Sequence, residues 1–291
     1  MTEKLAVENV AVFVHPTRSE AIETARSVAA ALERNSLKAM ATEPVAEIMQ
    51  IPELERSAEE LAESCDLSIS IGGDGTVLSA FCDLPHVPIV GVNCGVLGFL
   101  ARVPVSDSDR LCEAAAHGEL EAIESLAIET TVRQSGAESP SAATYALNDV
   151  AIQKGSGRAP YLTLSIDGTE LVTFIADSVI VAAPTGSTAY NFSAGGPVMM
   201  PGVEAFTVAP VAAHSLWDRS LVLGAQNVLE VAVTGDRSGV LVCDGREIAM
   251  LAPGDIIRVE AAASPARLVR WGGDDFIDRI RHTFNPSKPR S

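Results

Sequence analysis

The chain has 291 residues, of which 47% are hydrophobic and 20% charged, and its formal net charge is −17. At that length two domains are expected rather than one, because single cores stop growing near roughly 250–300 residues. The acidic balance excludes bulk binding to a nucleic-acid backbone, which needs a dense basic face, and no apolar run approaches the roughly 20 residues that span a bilayer.

In chain order, the first hundred residues alternate strand and helix. Met1 to Asn9 has no apolar core of the kind a secretion signal carries. Asn9 to Val14 is a compact apolar strand. Thr17-x-x-Glu20 reads as a capping box, and the helix behind it puts Ile22, Ala25, Val28, Ala29 and Leu32 on one face. Residues 36–54 read as a second strand followed by a loop, and a helix over Glu53–Ser64 leads into a strand at Leu67–Ser70. A further strand, Val87–Val92, precedes Asn93-Cys94-Gly95-Val96-Leu97-Gly98-Phe99-Leu100, and Ser106-x-x-Asp109 reads as the cap of a helix ending near His117. Such alternation predicts a parallel sheet with helices on both faces, in which ligands bind beyond the C-terminal ends of the strands. Both glycine-rich turns, Gly72–Gly75 and Gly91–Gly98, fall at such ends.

From Leu126 to about Arg270 the texture changes to many short strands. Tyr161–Ile166 alternates, Asp167-Gly168 supplies a turn and Leu171–Ile175 returns; Val240–Cys243 with Asp244-Gly245 repeats the pattern. Asp-Gly between alternating runs signals a hairpin, because both central residues of a type I′ turn need positive φ. Gln134–Ala143 reads as a loop. The second half is therefore expected to be an antiparallel, sandwich-like β domain over 123–271, and the first an α/β domain over 1–122. The tail, Asp274–Thr283, reads as a helix that packs on the α/β domain through Phe276, Ile277 and Ile280, adding 272–291 to it.

Four segments carry chemistry. In Ile71-Gly72-Gly73-Asp74-Gly75-Thr76 the glycines let backbone approach a ligand without Cβ interference, and a turn from strand to helix points N–H groups at one spot that suits phosphate. A carboxylate in that cradle holds Mg²⁺ or takes a proton; the bland alternative is a tight βα turn with Asp74 as a cap. Asn148-Asp149 offers amide and carboxylate groups able to read sugar hydroxyls or a base edge, or else forms an Asx turn. Pro184-Thr185-Gly186-Ser187-Thr188-Ala189-Tyr190 concentrates three hydroxyls and a glycine at an expected helix start, more than a plain cap needs. Ser193-Ala194-Gly195-Gly196-Pro197 allows close backbone packing. Phosphate loops of the Gly-x-x-x-x-Gly-Lys type are absent, as is Gly-x-Gly-x-x-Gly after the first strand. The five cysteines, Cys65, Cys82, Cys94, Cys112 and Cys243, show no Cys-x-x-Cys spacing, so reduced thiols in a cytoplasmic protein are expected rather than a zinc site or disulfides.

Taken together, Gly72-Gly73-Asp74-Gly75-Thr76, Asn93-x-Gly95-x-Leu97-Gly98-Phe99-Leu100, Asn148-Asp149 and the Pro184–Pro197 segments resemble the NAD kinase family, in its order and spacing over nearly the whole chain. The glycine–aspartate motif alone is shared with diacylglycerol, sphingosine and 6-phosphofructo- kinases; the proline-to-tyrosine segment is more specific. The resemblance implies a site between the two domains where NAD is phosphorylated on its adenosine 2′-hydroxyl by ATP or polyphosphate. Asp74 would accept the proton, with Mg²⁺ or another divalent cation carried in by the donor and no metal held by the protein's own residues. Gly73, Asp74, Gly75 and Phe99 would contact the bound nucleotide. Asn148 and Asp149 would fix adenine and ribose; Thr185, Thr188, Ala189, Tyr190, Asn191 and Ser193 would line the dinucleotide pocket. Arg158 and Asp177 match positions that contact NAD, sometimes from a neighbouring subunit, and Arg246 stands where a polar residue lies near the ligand. A homodimer or homotetramer is implied, without nucleic-acid or membrane partners. The chain departs from the family at Ser79, where a basic residue is common, at Ser178 after Asp177, where glycine is usual, and at Arg102, where an acid is common. A lipid kinase and a non-catalytic NAD(H) sensor are the alternatives.

Overall fold

In the computed structural model, residues 2–95, 98–155, 157–215, 218–273 and 276–284 are described; Leu97 of the Asn93–Leu100 motif and Asp274 at the expected start of the tail helix lie outside them. Seven short strands of the first half, β1 (Thr2–Lys4), β2 (Asn9–Val14), β3 (Lys38–Met40), β4 (Leu67–Gly72), β5 (Ile89–Asn93), β6 (Ala101–Pro104) and β7 (Glu121–Ser125), are interleaved with α1 (Ser19–Arg34), α2 (Glu43–Met49), α3 (Ala58–Ser64), α4 (Asp74–Asp83) and α5 (Ser108–Ala116). With the late strand Ala266–Val269 they build an eight-stranded sheet, in the order β1, β7, Ala266–Val269, β5, β4, β2, β3, with β6 on β5. Strands β3, β2, β4, β5 and β6 run parallel, and β1 pairs antiparallel with β7. The sheet is mostly, not wholly, parallel because β1 and β7 add an antiparallel edge.

Alternation decides which residues meet which layer. Val10, Val12, Val14, Leu67, Ile69, Ile71, Val90 and Val92 share one buried cluster with Ala25, Val28 and Leu32 of α1 and with Leu111 and Ala115 of α5. On the other face, a Cβ on Gly91 would meet Val77 of α4 at 2.7 Å and Ala101 of β6 at 2.6 Å, so a glycine is needed there for close packing.

Helix starts differ from the sequence reading in three places. α1 begins at Ser19 with Arg18 as its N-cap and no side-chain cap bond; the Thr17 amide instead donates to His15 Nδ1 at 3.4 Å. α5 is likewise uncapped by a side chain, and Ser106 Oγ donates to Asp107 at 3.3 Å. The true capping box is Ser57–Glu60, where the Glu60 amide donates to Ser57 Oγ and the Ser57 amide to Glu60. Residues 43–49 are helical rather than loop, with Pro44 in the first turn, where its missing N–H costs nothing.

Contacts divide the chain into two compact units, Met1–Glu124 with Arg267–Ser291, and Ser125–Ala266. The second unit is two six-stranded antiparallel sheets. One runs Leu221–Gly224, Ala205–Val211, Ser178–Ala182, Asp149–Lys154, Gly239–Cys243, Arg246–Leu251; the other Thr169–Ile175, Tyr161–Ile166, Leu229–Thr234, Ile256–Ala261, Ile128–Arg133, Thr144–Ala146. Their inner faces share one core, Val150, Ile152, Val179 and Val181 meeting Leu162, Leu164, Val231 and Val259. Both Asp-Gly turns form: Asp167 and Gly168 have φ 49° and 77°, Asp244 and Gly245 48° and 80°.

The C-terminal helix, Phe276–Phe284, packs on the first unit. Its Phe276 and Phe284 rings lie 6.2 and 6.1 Å from the Phe99 ring.

Candidate active site

In the first unit the site is built at the C-terminal end of β4. Asp74 is the first residue of α4, and its carboxylate accepts three backbone N–H bonds from the stretch after Gly98: Phe99 to Oδ2 at 2.8 Å, Leu100 to Oδ1 at 3.0 Å and Ala101 to Oδ1 at 2.8 Å. A Cβ on Gly98 would stand 2.2–2.4 Å from that carboxyl group, so only glycine lets the strand-end loop come this close. A carboxylate has about four lone-pair sites. Oδ1 fills both of its own; Oδ2 keeps one.

Beside Asp74 opens a cavity of about 430 Å³ lined by Val14, His15, Arg18, Gly73, Gly75, Thr76 and Ser79. Nothing lies within 4 Å of a Cβ built on Gly73 or Gly75, and neither residue has positive φ. Neither the fold nor the backbone therefore demands glycine at these two positions. Arg18 donates to the Cys94 carbonyl, which holds its guanidinium at the cavity wall. Ser79, the departure from a basic residue, lines the same cavity.

In the second unit the Asp244-Gly245 turn clamps the start of a central strand. Asp244 accepts from the amides of Leu147 (2.7 Å), Asn148 (2.8 Å) and Asp149 (3.0 Å), and its own amide donates to the Asp149 carbonyl at 2.9 Å. The buried Asp149 thus has a second carboxylate, that of Asp244, held against its own amide. Burial and the Asp244 charge push the Asp149 carboxyl up to about 7. Burial takes Asp244 to about 6 against the pull of its three N–H donors. The Asn148 side-chain oxygen is buried without a hydrogen-bond partner.

The Pro184–Tyr190 segment forms a short 3₁₀ turn over Thr185–Thr188 and then one helical turn, Tyr190–Ser193. Two of its hydroxyls hold the segment's own backbone, Ser187 donating to Pro184 at 2.6 Å and Thr188 to Thr185 at 3.3 Å, while Thr185 ties the segment to the Leu147 carbonyl. A Cβ on Gly186 would meet the Asn148 carbonyl oxygen at 2.0 Å, so this turn lies directly against Asn148. Asn191 is fully buried, donating to the Pro197 carbonyl at 3.1 Å and accepting from Thr207 at 3.0 Å. Tyr190 is 39% exposed, and Ser193 is exposed.

The structure brings Gly73, Asp74, Gly75 and Phe99 together in one unit, and Asn148, Asp149, Thr185 and Thr188 in the other. Arg158 and Asp177 are instead paired elsewhere on the surface, with Asp236 at 3.9 Å and Lys154 at 2.7 Å, and Arg246 is exposed at the start of an edge strand. Ser178 tolerates its Cβ because it opens a strand in extended, antiparallel register with Gln153 and Val211. Arg102 donates Nε to the Phe99 carbonyl at 2.9 Å. Three residues escape a reading of the sequence. His15 and Arg18 are signalled by their place just past a C-terminal strand end, whereas Asp244 reads only as a turn residue.

Residues 10–120 match the family model of the ATP-NAD kinase N-terminal domain, and residues 147–271 that of the ATP-NAD kinase C-terminal domain. A Streptomyces avermitilis protein named NAD kinase 2 is 36% identical over 292 residues, covering 98% of this chain and 96% of its own length. Among solved structures, a yeast NADH kinase complexed with NADH has a TM-score of 0.88 at 25% identity, covering 98% of this chain and 90% of that one. An NAD kinase from Archaeoglobus fulgidus in complex with ATP has a TM-score of 0.68 at 27% identity, covering 95% and 97%.

Proposed function

Since this chain belongs to the NAD kinase family, we propose that it moves the terminal phosphoryl group of ATP to the adenosine 2′-hydroxyl of NAD, with Asp74 as proton acceptor. Family membership disfavours the lipid-kinase and non-catalytic readings. The observation that carries the assignment is Asp74 itself, fixed by three amides beside two glycines whose missing Cβ atoms leave open space. A ribose hydroxyl is a weak nucleophile, so the enzyme's work is to hold it in line with the phosphorus and take its proton late. Oδ2, with one lone-pair site left, is the oxygen for that proton.

The donor's phosphates fill the cavity by β2 and β4. Gly73 and Gly75 give them backbone access, and Arg18 supplies the positive charge that Ser79 does not. Polyphosphate offers the same chemistry and is a second donor to test. Among the described residues no group of three or more His, Cys, Asp or Glu side chains gathers to hold a metal ion. A divalent cation carried in with the donor would neutralise phosphate charge. The Asn148 oxygen accepts from the adenine or ribose of NAD, and Asp149 bonds a ribose hydroxyl. Gly186 and Thr185 hold that corner in shape, and Thr188, Ala189, Tyr190 and Ser193 border the dinucleotide, with Asn191 fixing the turn from beneath. Arg158 and Asp177, both on the surface, serve the site of a neighbouring subunit in a homodimer or homotetramer, and Arg246, directly after the Asp244-Gly245 turn that holds Asn148 and Asp149, lies near the ligand. No helix among the described residues is long and apolar enough to cross a membrane. All five cysteines are free, which supports a reducing, cytoplasmic setting.

The test is to incubate the protein with NAD, Mg²⁺ and either ATP or polyphosphate and to measure NADP. Formation with at least one donor is expected; none with either would refute the assignment.

A further inference from the structure

The C-terminal helix reaches Asp74 through a single peptide plane. Arg279, only 9% exposed, donates Nη1 to the Phe99 carbonyl at 3.3 Å, and Arg102 donates Nε to the same oxygen at 2.9 Å. The amide on the other side of that peptide is Leu100 N–H, which donates to Asp74 Oδ1 at 3.0 Å. Peptide units are planar and trans, so fixing where the Phe99 carbonyl points also fixes where the Leu100 N–H points. Two guanidinium groups on the oxygen also polarise the plane and strengthen the bond at its far end. Ring contacts anchor the helix in this position. The Arg279 guanidinium lies 6.0 Å from the Phe99 ring centre and 5.3 Å from that of Phe276, and Phe284 closes on Phe99 from the same helix.

We propose that Arg279 is a positioning residue for Asp74, acting with Arg102 through the Phe99–Leu100 peptide. The proposal rests on Asp74 being the proton acceptor, since a carboxylate that merely capped α4 would gain nothing from being held from a second direction. Arg279 touches no reacting atom. Its contribution is to keep Oδ1 occupied and Oδ2 turned to the substrate, an effect felt in turnover more than in binding.

Arg279→Met keeps much of the packing on the two phenylalanine rings and removes the donor. The expected result is a fall in kcat of about tenfold, with KM for NAD and for ATP within about twofold of the parent. Arg279→Lys should recover part of the loss, and hydrogen exchange at the Leu100 amide should speed up in the Met variant. The exposed Arg281→Ala, whose arginine pairs with Asp278 of its own helix at 2.8 Å, is the control and should behave as the parent. Because Arg102 shares the carbonyl, Arg102→Met should show the same kcat defect, and the double variant should lose less than the product of the two. Should Arg279→Met fail to fold, Arg102→Met and Arg279→Lys carry the test. A kcat within about twofold of the parent in the folded Met variants, or a rise in KM in place of a fall in kcat, overturns the proposal. Failure of the parent protein to make NADP would refute the assigned reaction instead, so the two failures are distinguishable.

Discussion

Gly75 separates fold from function. It lies in the first turn of α4, with φ outside the positive range and nothing within 4 Å of a Cβ built on it. Alanine in a helix is favoured over glycine by up to about 1 kcal/mol. Gly75→Ala should therefore leave the melting temperature unchanged or raise it by a degree or two, while KM for ATP rises about tenfold because the methyl group intrudes on the donor. Scanning calorimetry beside steady-state kinetics checks both; a loss of stability, or unchanged kinetics, would show that the open space is not the donor's. The Asp149–Asp244 pair makes a second prediction. Asp149 is raised to about 7 from 3.8, so the folded state holds a proton that the unfolded chain releases at lower pH. That contribution to stability is complete below about pH 4 and is lost as pH rises through about 7, up to about 4 kcal/mol as a bound. Asp149→Asn should remove this decline, seen as a flatter dependence of urea midpoint on pH between about 4 and 8.

At the scale of elements, the sequence is legible where one residue's conformation decides the outcome. Both Asp-Gly turns can be read because positive φ at two successive positions leaves few choices. Caps are less legible, since Thr17-x-x-Glu20 has the right letters but the helix starts at Ser19. Ser57→Ala should cost about 1 kcal/mol through loss of the cap bond, and Thr17→Ala close to nothing; chemical denaturation of the two variants discriminates them. α2 is hidden because Pro44 looks like a breaker and the helix is held by burial of Ala46 and Met49 rather than by a long apolar stripe. The candidate site shows the same division. Gly72–Thr76 and Pro184–Tyr190 announce themselves by composition. The amides that hold Asp74 come from residues 25–27 positions away, and the Asp244 clamp spans 95–97, so neither leaves a local pattern. Gly98 is the available clue to the first; the second has none.

At the scale of the molecule, each unit has its own core and its own share of the chemistry. The stretch 125–266 is continuous in sequence, so we expect it to unfold cooperatively when expressed alone. It should bind NAD more weakly than the full chain and turn nothing over; a fragment without a cooperative transition would mean that its core depends on the rest of the chain. The decisive comparison sets the 291-residue chain against its Asp74→Asn variant, recording NADP formation from NAD and ATP with Mg²⁺ and NAD affinity by calorimetry. Asparagine is nearly isosteric and cannot take the proton. We predict a loss in turnover of about 10²–10⁴-fold, the range expected for removal of a general base, with NAD affinity within a few-fold. Near-normal turnover in Asp74→Asn would contradict the account.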